Sequence, residues 1–315
     1  PHTLTVPKPI VPIAGKPIVR RLVEDITRVC GQKVDEIAFV IGDFGVVVEA
    51  ELLEIAKSLN AKGAIYHQDE ALGTAHAILC AKEALVGPVV VAFADTLFRA
   101  DFTLDTEKDG IIWVQKVEDP RAYGVIKMNE NSVITDFVEK PQEFVSDLAI
   151  IGIYFFKDGL KLSAELQYLI DNNIKENGEF QLTNALENMK QKGAEFYPGK
   201  VDEWLDCGNP VAAVHANKRV LEYTANDEAR KALSVENTHI LEPCFIGANV
   251  QLKNCTIGPY VSVGNNTCII NSTIKNTIIQ NNTTIVDADL EDSMIGNHVE
   301  YKGGKKRISI GDYSK

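Results

Sequence analysis

The segment Ile246–Ile274 reads IGANVQLKNCTIGPYVSVGNNTCIINSTI, with aliphatic residues recurring at Ile246, Leu252, Ile257, Val263, Ile269 and Ile274, five or six residues apart. Taken three steps at a time, Ile246 to Val263, Leu252 to Ile269 and Ile257 to Ile274 are each 17 apart. Glycine follows three of the aliphatics, at Gly247, Gly258 and Gly264, and Ile295-Gly296 echoes the pattern. A fixed period of about six, three steps to a coil, is the signature of a β-helix whose aliphatic side chains point inward and stack on the coil below. An alternating β-sandwich would instead show period 2 and turns every ~8–12 residues. The period therefore predicts a short β-helix over 239–315, of about four coils. Asparagines at 254, 265, 266, 271, 276, 281 and 282 suit left-handed backbone at its corners. The lysine-rich stretch Gly303–Arg307 reads as a loop or capping excursion.

Upstream the rhythm is different. Glu36–Gly42 reads as a buried strand, Val46–Leu59 as a helix, Gly63–Gln68 as a strand and Gly73–Leu85 as a helix. Pro88–Ala94 is an apolar strand that ends at Asp95. Such unalternating apolar runs between helices fit a parallel sheet covered on both faces. Further strands follow at Gly110–Val117, Gly124–Met128, Val133–Val138 and Leu148–Phe156, and helices at Gly159–Asn172 and Gln181–Lys192. The fold class is α/β, a Rossmann-like mixed sheet over 1–225, then a linker at 226–238 and the β-helix.

The chain has 315 residues, enough for two domains. Its 45% hydrophobic and 24% charged composition is that of a globular protein. A net charge of −12 argues against a nucleic-acid partner. No apolar run has membrane-spanning length and no signal peptide is visible, so no membrane partner is expected. Six cysteines without CxxC pairing read as reduced thiols of a cytoplasmic protein.

Near the first residue lies the track Pro7-Lys8-Pro9-Ile10-Val11-Pro12-Ile13-Ala14-Gly15-Lys16-Pro17-Ile18. Prolines and a glycine stiffen and turn it, and Pro17 is expected to open a helix. A lysine on a rigid lead-in to a helix is well placed to hold a phosphate; a solvated surface turn is the bland alternative. Other polar residues fall at strand ends. Gln68 precedes a strand-to-helix turn and can read a base edge with one donor and one acceptor, while Gly73 lets backbone approach a flat ring. Asp95 and Asp206 each end an apolar stretch, and two converging aspartates would suit Mg²⁺, which leaves its other positions to phosphate oxygens and water. Glu139-Lys140 offers an acceptor for sugar hydroxyls beside a cation for a phosphate, and Tyr123-Gly124 opens a strand with a bare backbone position. Cys207 reads as a buried inert thiol and His76 as a packing residue.

In order along the chain, Pro-Lys-Pro…Gly-Lys-Pro-Ile, Gln68…Leu-Gly-Thr-Ala-His-Ala, Ala94-Asp95, Tyr-Gly-Val, Val-Glu-Lys-Pro, Gly-Ile-Tyr-Phe-Phe, Gly-Glu-Phe-Gln-Leu-Thr and Trp-Leu-Asp-Cys-Gly resemble the sugar-1-phosphate nucleotidylyltransferase family across residues 7–220. The solenoid resembles the left-handed β-helix carried by many long members. The resemblance implies in-line attack by a sugar-1-phosphate oxygen on the α-phosphorus of a nucleoside triphosphate, with pyrophosphate leaving and no covalent enzyme intermediate. It places Gln68, Gly73 and Thr74 on the nucleotide, Asp95 and Asp206 on Mg²⁺, and Lys8 on phosphate. Tyr123, Gly124, Glu139, Lys140 and Glu179 would face the sugar phosphate. Gln68 ahead of Leu72-Gly73-Thr74 resembles the pyrimidine-using members, so glucose 1-phosphate with dTTP or UTP is the expected pair.

The pattern departs from the family at several points. A Gly-x-Gly-x-Arg loop should precede residue 1, which is proline with no strand before it, so the chain is expected to lack its natural beginning. Ala94 stands where glycine is common, Asn184 where aspartate is usual, and Ala71 where proline is common. Two other functions compete. A non-catalytic scaffold of the same fold is opposed by the retained Asp95, Asp206, Lys8 and Lys140. An acetyltransferase in the solenoid would need a histidine base, for which His239 and His298 are the candidates. The solenoid is expected to mediate homo-oligomer contacts.

Overall fold

The computed structural model describes residues 7–101, 104–224, 234–303 and 309–311. The chain packs as two units, one of Pro1–Leu22, Ala94–Leu97 and Leu205–Lys315, the other of Val23–Phe93 and Phe98–Trp204. Six α-helices order the described chain: α1 (Ile18–Cys30), α2 (Val46–Ser58), α3 (Thr74–Cys80), α4 (Gly159–Asp171), α5 (Leu182–Gln191) and α6 (Pro210–Tyr223).

In the second unit, a six-stranded sheet runs in the order Phe196–Lys200, Gly110–Lys116, Leu148–Phe156, Val125–Met128, Ile134–Val138, and Val89–Ala92 also pairs with Leu148–Phe156. The sheet is mixed. Phe196–Lys200 runs parallel to Gly110–Lys116, whereas Leu148–Phe156 is antiparallel to its neighbours, Val89–Ala92 included. Glu36–Ile41 and Lys62–His67 form a separate parallel pair. The mixed sheet is the one expected; of the early apolar runs read as parallel, Glu36–Ile41 and Lys62–His67 do pair so, and the correction falls on Val89–Ala92, which pairs antiparallel. Those runs record burial on both faces, which a central antiparallel strand shares with a parallel one. Leu148–Phe156 shows it, for eight of its nine residues are buried. Beneath the sheet α4 and α5 supply Leu162, Leu166, Leu169, Ala185 and Leu186, each 0% exposed, to a core that includes Phe156 and Phe196.

Several boundaries shift. The helix expected over Gly73–Leu85 stops at Cys80, and Lys82–Ala84 tightens into a 3₁₀ turn. Pro17 does not open α1; it lies in a two-residue strand, Lys16–Pro17, and the helix starts at Ile18. Helix α6 carries its own start signals, an Asn209 cap whose side chain accepts from the Ala212 N–H and Pro210 at the first position.

In the first unit, the chain from Ser234 onward forms parallel strands in two sheets, a solenoid of about four turns consistent with a left-handed β-helix. Ile246 pairs with Val263, Leu252 with Ile269 and Ile257 with Ile274, the register that the period of 17 predicts. The next coils are one residue shorter, pairing Ile269 with Ile285 and Ile274 with Leu290. All these aliphatics are at most 3% exposed, and each such burial contributes about 1.5–3 kcal/mol relative to exposure.

Asn249, Asn254, Asn266, Asn271, Asn276 and Asn282 hold the corners at positive φ. Asn265 and Asn281 do not share that conformation. Their side-chain oxygens accept the backbone N–H of Ala248 and Asn265 respectively. The corner amides also form a ladder, Asn237 donating to Asn254, Asn254 to Asn271 and Asn271 to Asp287 at 3.0, 3.1 and 3.0 Å. Of the expected linker and the lysine-rich excursion, residues 226–233 and 304–307 lie outside the described chain.

Candidate functional site

In the first unit the proline-rich lead-in is fixed at both ends. Lys8–Ile10 form a 3₁₀ turn that leaves Lys8 exposed beside buried Pro7. Pro12–Ile13 then folds back on Lys16–Pro17 through Ala14 (φ 47) and Gly15 (φ 80). Arg21, from α1, donates to the carbonyls of Ile13 and Ala14 at 2.7 and 2.8 Å. The Ala14 N–H donates to Oδ1 of Asn217 at 2.9 Å. Asn217, 0% exposed on α6, also accepts from the Ser262 hydroxyl at 2.6 Å and donates to the Tyr260 carbonyl. A Cβ on Gly15 would lie 2.2 Å from the Phe245 ring. Solenoid residues therefore hold the segment that presents Lys8.

Asp95 and Asp206 meet in the same unit. The Cys207 N–H donates to the Asp95 carbonyl at 2.8 Å. The Gly208 N–H donates to Oδ1 of Asp206 at 2.7 Å. A Cβ on Gly208 would lie 2.9 Å from Oδ1 of Asp206 and 3.7 Å from Oδ2 of Asp95, so both carboxylates converge on that bare Cα. Burial, and then the charge of Asp206, push the Asp95 carboxyl above the usual range, while Lys8 pulls it down. Two carboxylates crowded against a single lysine's charge fit a divalent cation that keeps its other positions for phosphate and water. Among the described residues no group of three or more histidine, cysteine or carboxylate side chains forms a metal cage. Cys207 is 3% exposed, and burial with the two aspartates pushes its thiol up to about 12, so it stays protonated.

In the second unit the nucleotide and sugar candidates form a connected set. Gln68, at the end of Lys62–His67, donates its side-chain amide to the Gly73 carbonyl at 3.2 Å and meets Nδ1 of His76 at 3.0 Å. Gly73 has φ 111, and a Cβ there would lie 2.5 Å from the Phe180 carbonyl oxygen, so close chain packing demands the glycine. The Thr74 hydroxyl is taken up inside the protein, donating to Gln181 and accepting from the Leu182 N–H. Gln181, only 4% exposed, donates in turn to Glu179 at 3.0 Å.

Glu139 is nearby. Its Oε2 accepts from the Thr183 hydroxyl at 3.1 Å and would lie 3.1 Å from a Cβ on Gly124. Lys140, at φ 40, holds an ion pair with Glu139 at 3.8 Å, and its N–H donates to the Tyr123 carbonyl. Burial pushes the Glu139 carboxyl up, Thr183 and Lys140 oppose that, and Glu176 and Glu179 add to it.

Sequence reasoning missed four residues here. His76 was expected only to pack, yet it partners Gln68. Thr183 and Gln181 support Glu139 and Thr74. Trp204 sets its ring edge-on to Tyr123 at 5.1 Å, with its indole N–H buried and without an acceptor among the described residues. The available signal was adjacency, since Gln181-Leu182-Thr183 and Trp204-Leu205-Asp206 stand inside the motifs already read.

Residues 1–223 match the model of a family described as nucleotidyl transferase. A glucose-1-phosphate thymidylyltransferase of Streptomyces antibioticus is 26% identical, in an alignment covering 100% of this chain and 94% of that protein. The catalytic subunit beta of mannose-1-phosphate guanylyltransferase from Drosophila melanogaster is 31% identical, covering 67% of this chain and 56% of that one. A solved structure of UDP-glucose pyrophosphorylase complexed with UDP-glucose shares the fold at a TM-score of 0.57 and 24% identity, covering 70% of this chain and 94% of that one.

Proposed function

This chain belongs to the nucleotidyl transferase family, and on that premise we propose that it joins glucose 1-phosphate to dTTP or UTP and releases pyrophosphate. The observation that carries this reading is the convergence of Asp95 and Asp206 on Gly208, within the field of Lys8. A phosphate oxygen of the sugar phosphate attacks the α-phosphorus, and the bond to the bridging oxygen of the β-phosphate breaks. The difficulty is electrostatic, because two polyanions must approach and charge crowds at the α-phosphate. Asp95 and Asp206 would hold Mg²⁺, which when bound supplies charge neutralisation at the phosphates.

Lys8 contributes a cation to the same phosphates, on a lead-in fixed by Arg21 and Asn217. Gln68 reads the base, with Gly73 at its turn and Thr74 tying that turn to Gln181. Glu139 accepts from sugar hydroxyls, Lys140 meets the sugar phosphate, and Tyr123, Gly124 and Glu179 complete that face. All six cysteines are free thiols, which supports a reducing, cytoplasmic setting.

A pyrophosphate-release assay on the full chain, with each of five triphosphates against several sugar 1-phosphates, tests the pairing. Turnover with glucose 1-phosphate and dTTP or UTP is expected. Turnover with GTP and mannose 1-phosphate alone would overturn the assignment.

A further inference from the structure

The hydrogen bonds of Gln68 fix which end of its amide is free. A carbonyl oxygen can only accept, so the atom 3.2 Å from the Gly73 carbonyl is the amide nitrogen. That same nitrogen lies 3.0 Å from Nδ1 of His76. Nδ1 must then be the acceptor, which puts the ring proton of neutral His76 on Nε2. Both amide hydrogens of Gln68 are consumed within the protein. Its Oε1 accepts no hydrogen bond among the described residues and is not a buried orphan.

We propose that His76, by accepting the second amide hydrogen of Gln68, is a positioning residue that restricts the chain to nucleobases presenting a ring N–H. The proposal rests on Gln68 being the base reader. Held in this orientation, Gln68 offers the base an acceptor and nothing else. Uracil and thymine, through N3–H, and guanine, through N1–H, complete the bond. Cytosine and adenine present a ring lone pair at the equivalent atom and set acceptor against acceptor, so the wrong base leaves two polar atoms unpaired. Without His76 one amide hydrogen is released, and the side chain can turn to donate to cytosine N3. His76 touches no substrate in this scheme; it acts through Gln68.

Three full-length proteins test this: wild type, His76→Ala and His76→Asn, whose Oδ1 occupies the position of Nδ1. For each, kcat and KM are measured with UTP, CTP, GTP and ATP at saturating sugar phosphate, and nucleotide affinity is measured separately by calorimetry. In His76→Ala the preference for UTP over CTP should shrink about five- to tenfold, the loss of one hydrogen bond, and mainly through KM. His76→Asn should restore it. An unchanged UTP-to-CTP ratio in His76→Ala, or a His76→Asn variant no better than alanine, overturns the proposal. Should the alanine protein fail to fold, His76→Phe keeps the ring and lacks the acceptor.

Failure of the underlying reading looks different. A wild type that uses GTP but not UTP overturns the pyrimidine assignment, and the GTP-to-ATP ratio then tests His76 in the same way. A Gln68→Ala variant with unaltered base preference, or a wild type that binds no triphosphate, removes the base reader and the proposal with it.

Discussion

Asp95 and Asp206 stand close enough that burial, and then the charge of Asp206, raises the proton affinity of Asp95. The two carboxylates converge on the bare Cα of Gly208, and the Cys207 N–H donates to the Asp95 carbonyl beside them. A carboxyl whose folded-state pKa lies above its unfolded value binds protons more readily when folded. It therefore costs stability once the pH rises past the ordinary carboxylate range.

Asp95→Asn should accordingly make the ligand-free protein more stable at neutral pH, by ~1–3 °C in Tm. That advantage should shrink as the pH falls through the raised Asp95 value toward the ordinary one. Activity should fall about 10²-fold or more, since the charge that serves the transition state is gone. Thermal melts across pH for both proteins check the sign; a variant less stable than wild type at neutral pH would contradict it.

Thr183→Val removes the hydroxyl that favours ionised Glu139. The carboxyl should rise further, and since a protonated Glu139 accepts less well from a sugar hydroxyl, the acid limb of kcat/KM for the sugar phosphate should move to higher pH. A pH–rate profile whose acid limb stays put, or moves down, would count against Glu139 in this role.

Gly15 (φ 80) has the Phe245 ring where a Cβ would be, whereas Gly45 (φ 79) has no neighbour there. Gly45, at φ 79 and ψ 163, lies in a region essentially reserved for glycine, so Gly45→Ala should cost about 1–3 kcal/mol from backbone conformation alone. Gly15→Ala should cost ~1–3 kcal/mol from the clash with Phe245, on top of its own positive-φ penalty. In the double variant with Phe245→Ala that excess should vanish, which denaturant titrations of the four proteins can read directly.

How much of this was legible beforehand differs between the solenoid and the site. The inward register of Ile246, Leu252 and Ile257 was visible because each coil repeats the same burial, whereas the shorter coils after Val263 carry no compositional mark. The direction of Val89–Ala92 was not visible, since an unalternating apolar run looks the same whether its neighbour runs parallel or antiparallel. Among site residues, Asp95 and Asp206 stood out at the ends of apolar runs. His76 and Thr183 did not, because their meaning lies in one hydrogen bond to a side chain distant in sequence or hidden within a motif.

Asn217→Leu keeps the volume of a fully buried side chain but strands the Ala14 N–H, the Ser262 hydroxyl and the Tyr260 carbonyl. It should cost ~3 kcal/mol or more and lower kcat as the Lys8 lead-in loosens. Ser262→Ala, which removes a single donor, should cost only ~1 kcal/mol. Equal losses for the two variants by chemical denaturation would show that Asn217 is not the hub.

The proposed nucleotidyl transfer takes place at phosphates met by Lys8 and by the Mg²⁺ that Asp95 and Asp206 would hold. A single-turnover reaction with UTP labelled at the α-phosphate, glucose 1-phosphate and Mg²⁺ tests it most directly. All label should appear in a nucleotide sugar and none in pyrophosphate or on the protein, and Asp206→Asn should slow the transfer by about 10²-fold or more. Label retained on the protein, or transfer that is indifferent to Asp206→Asn, would contradict it.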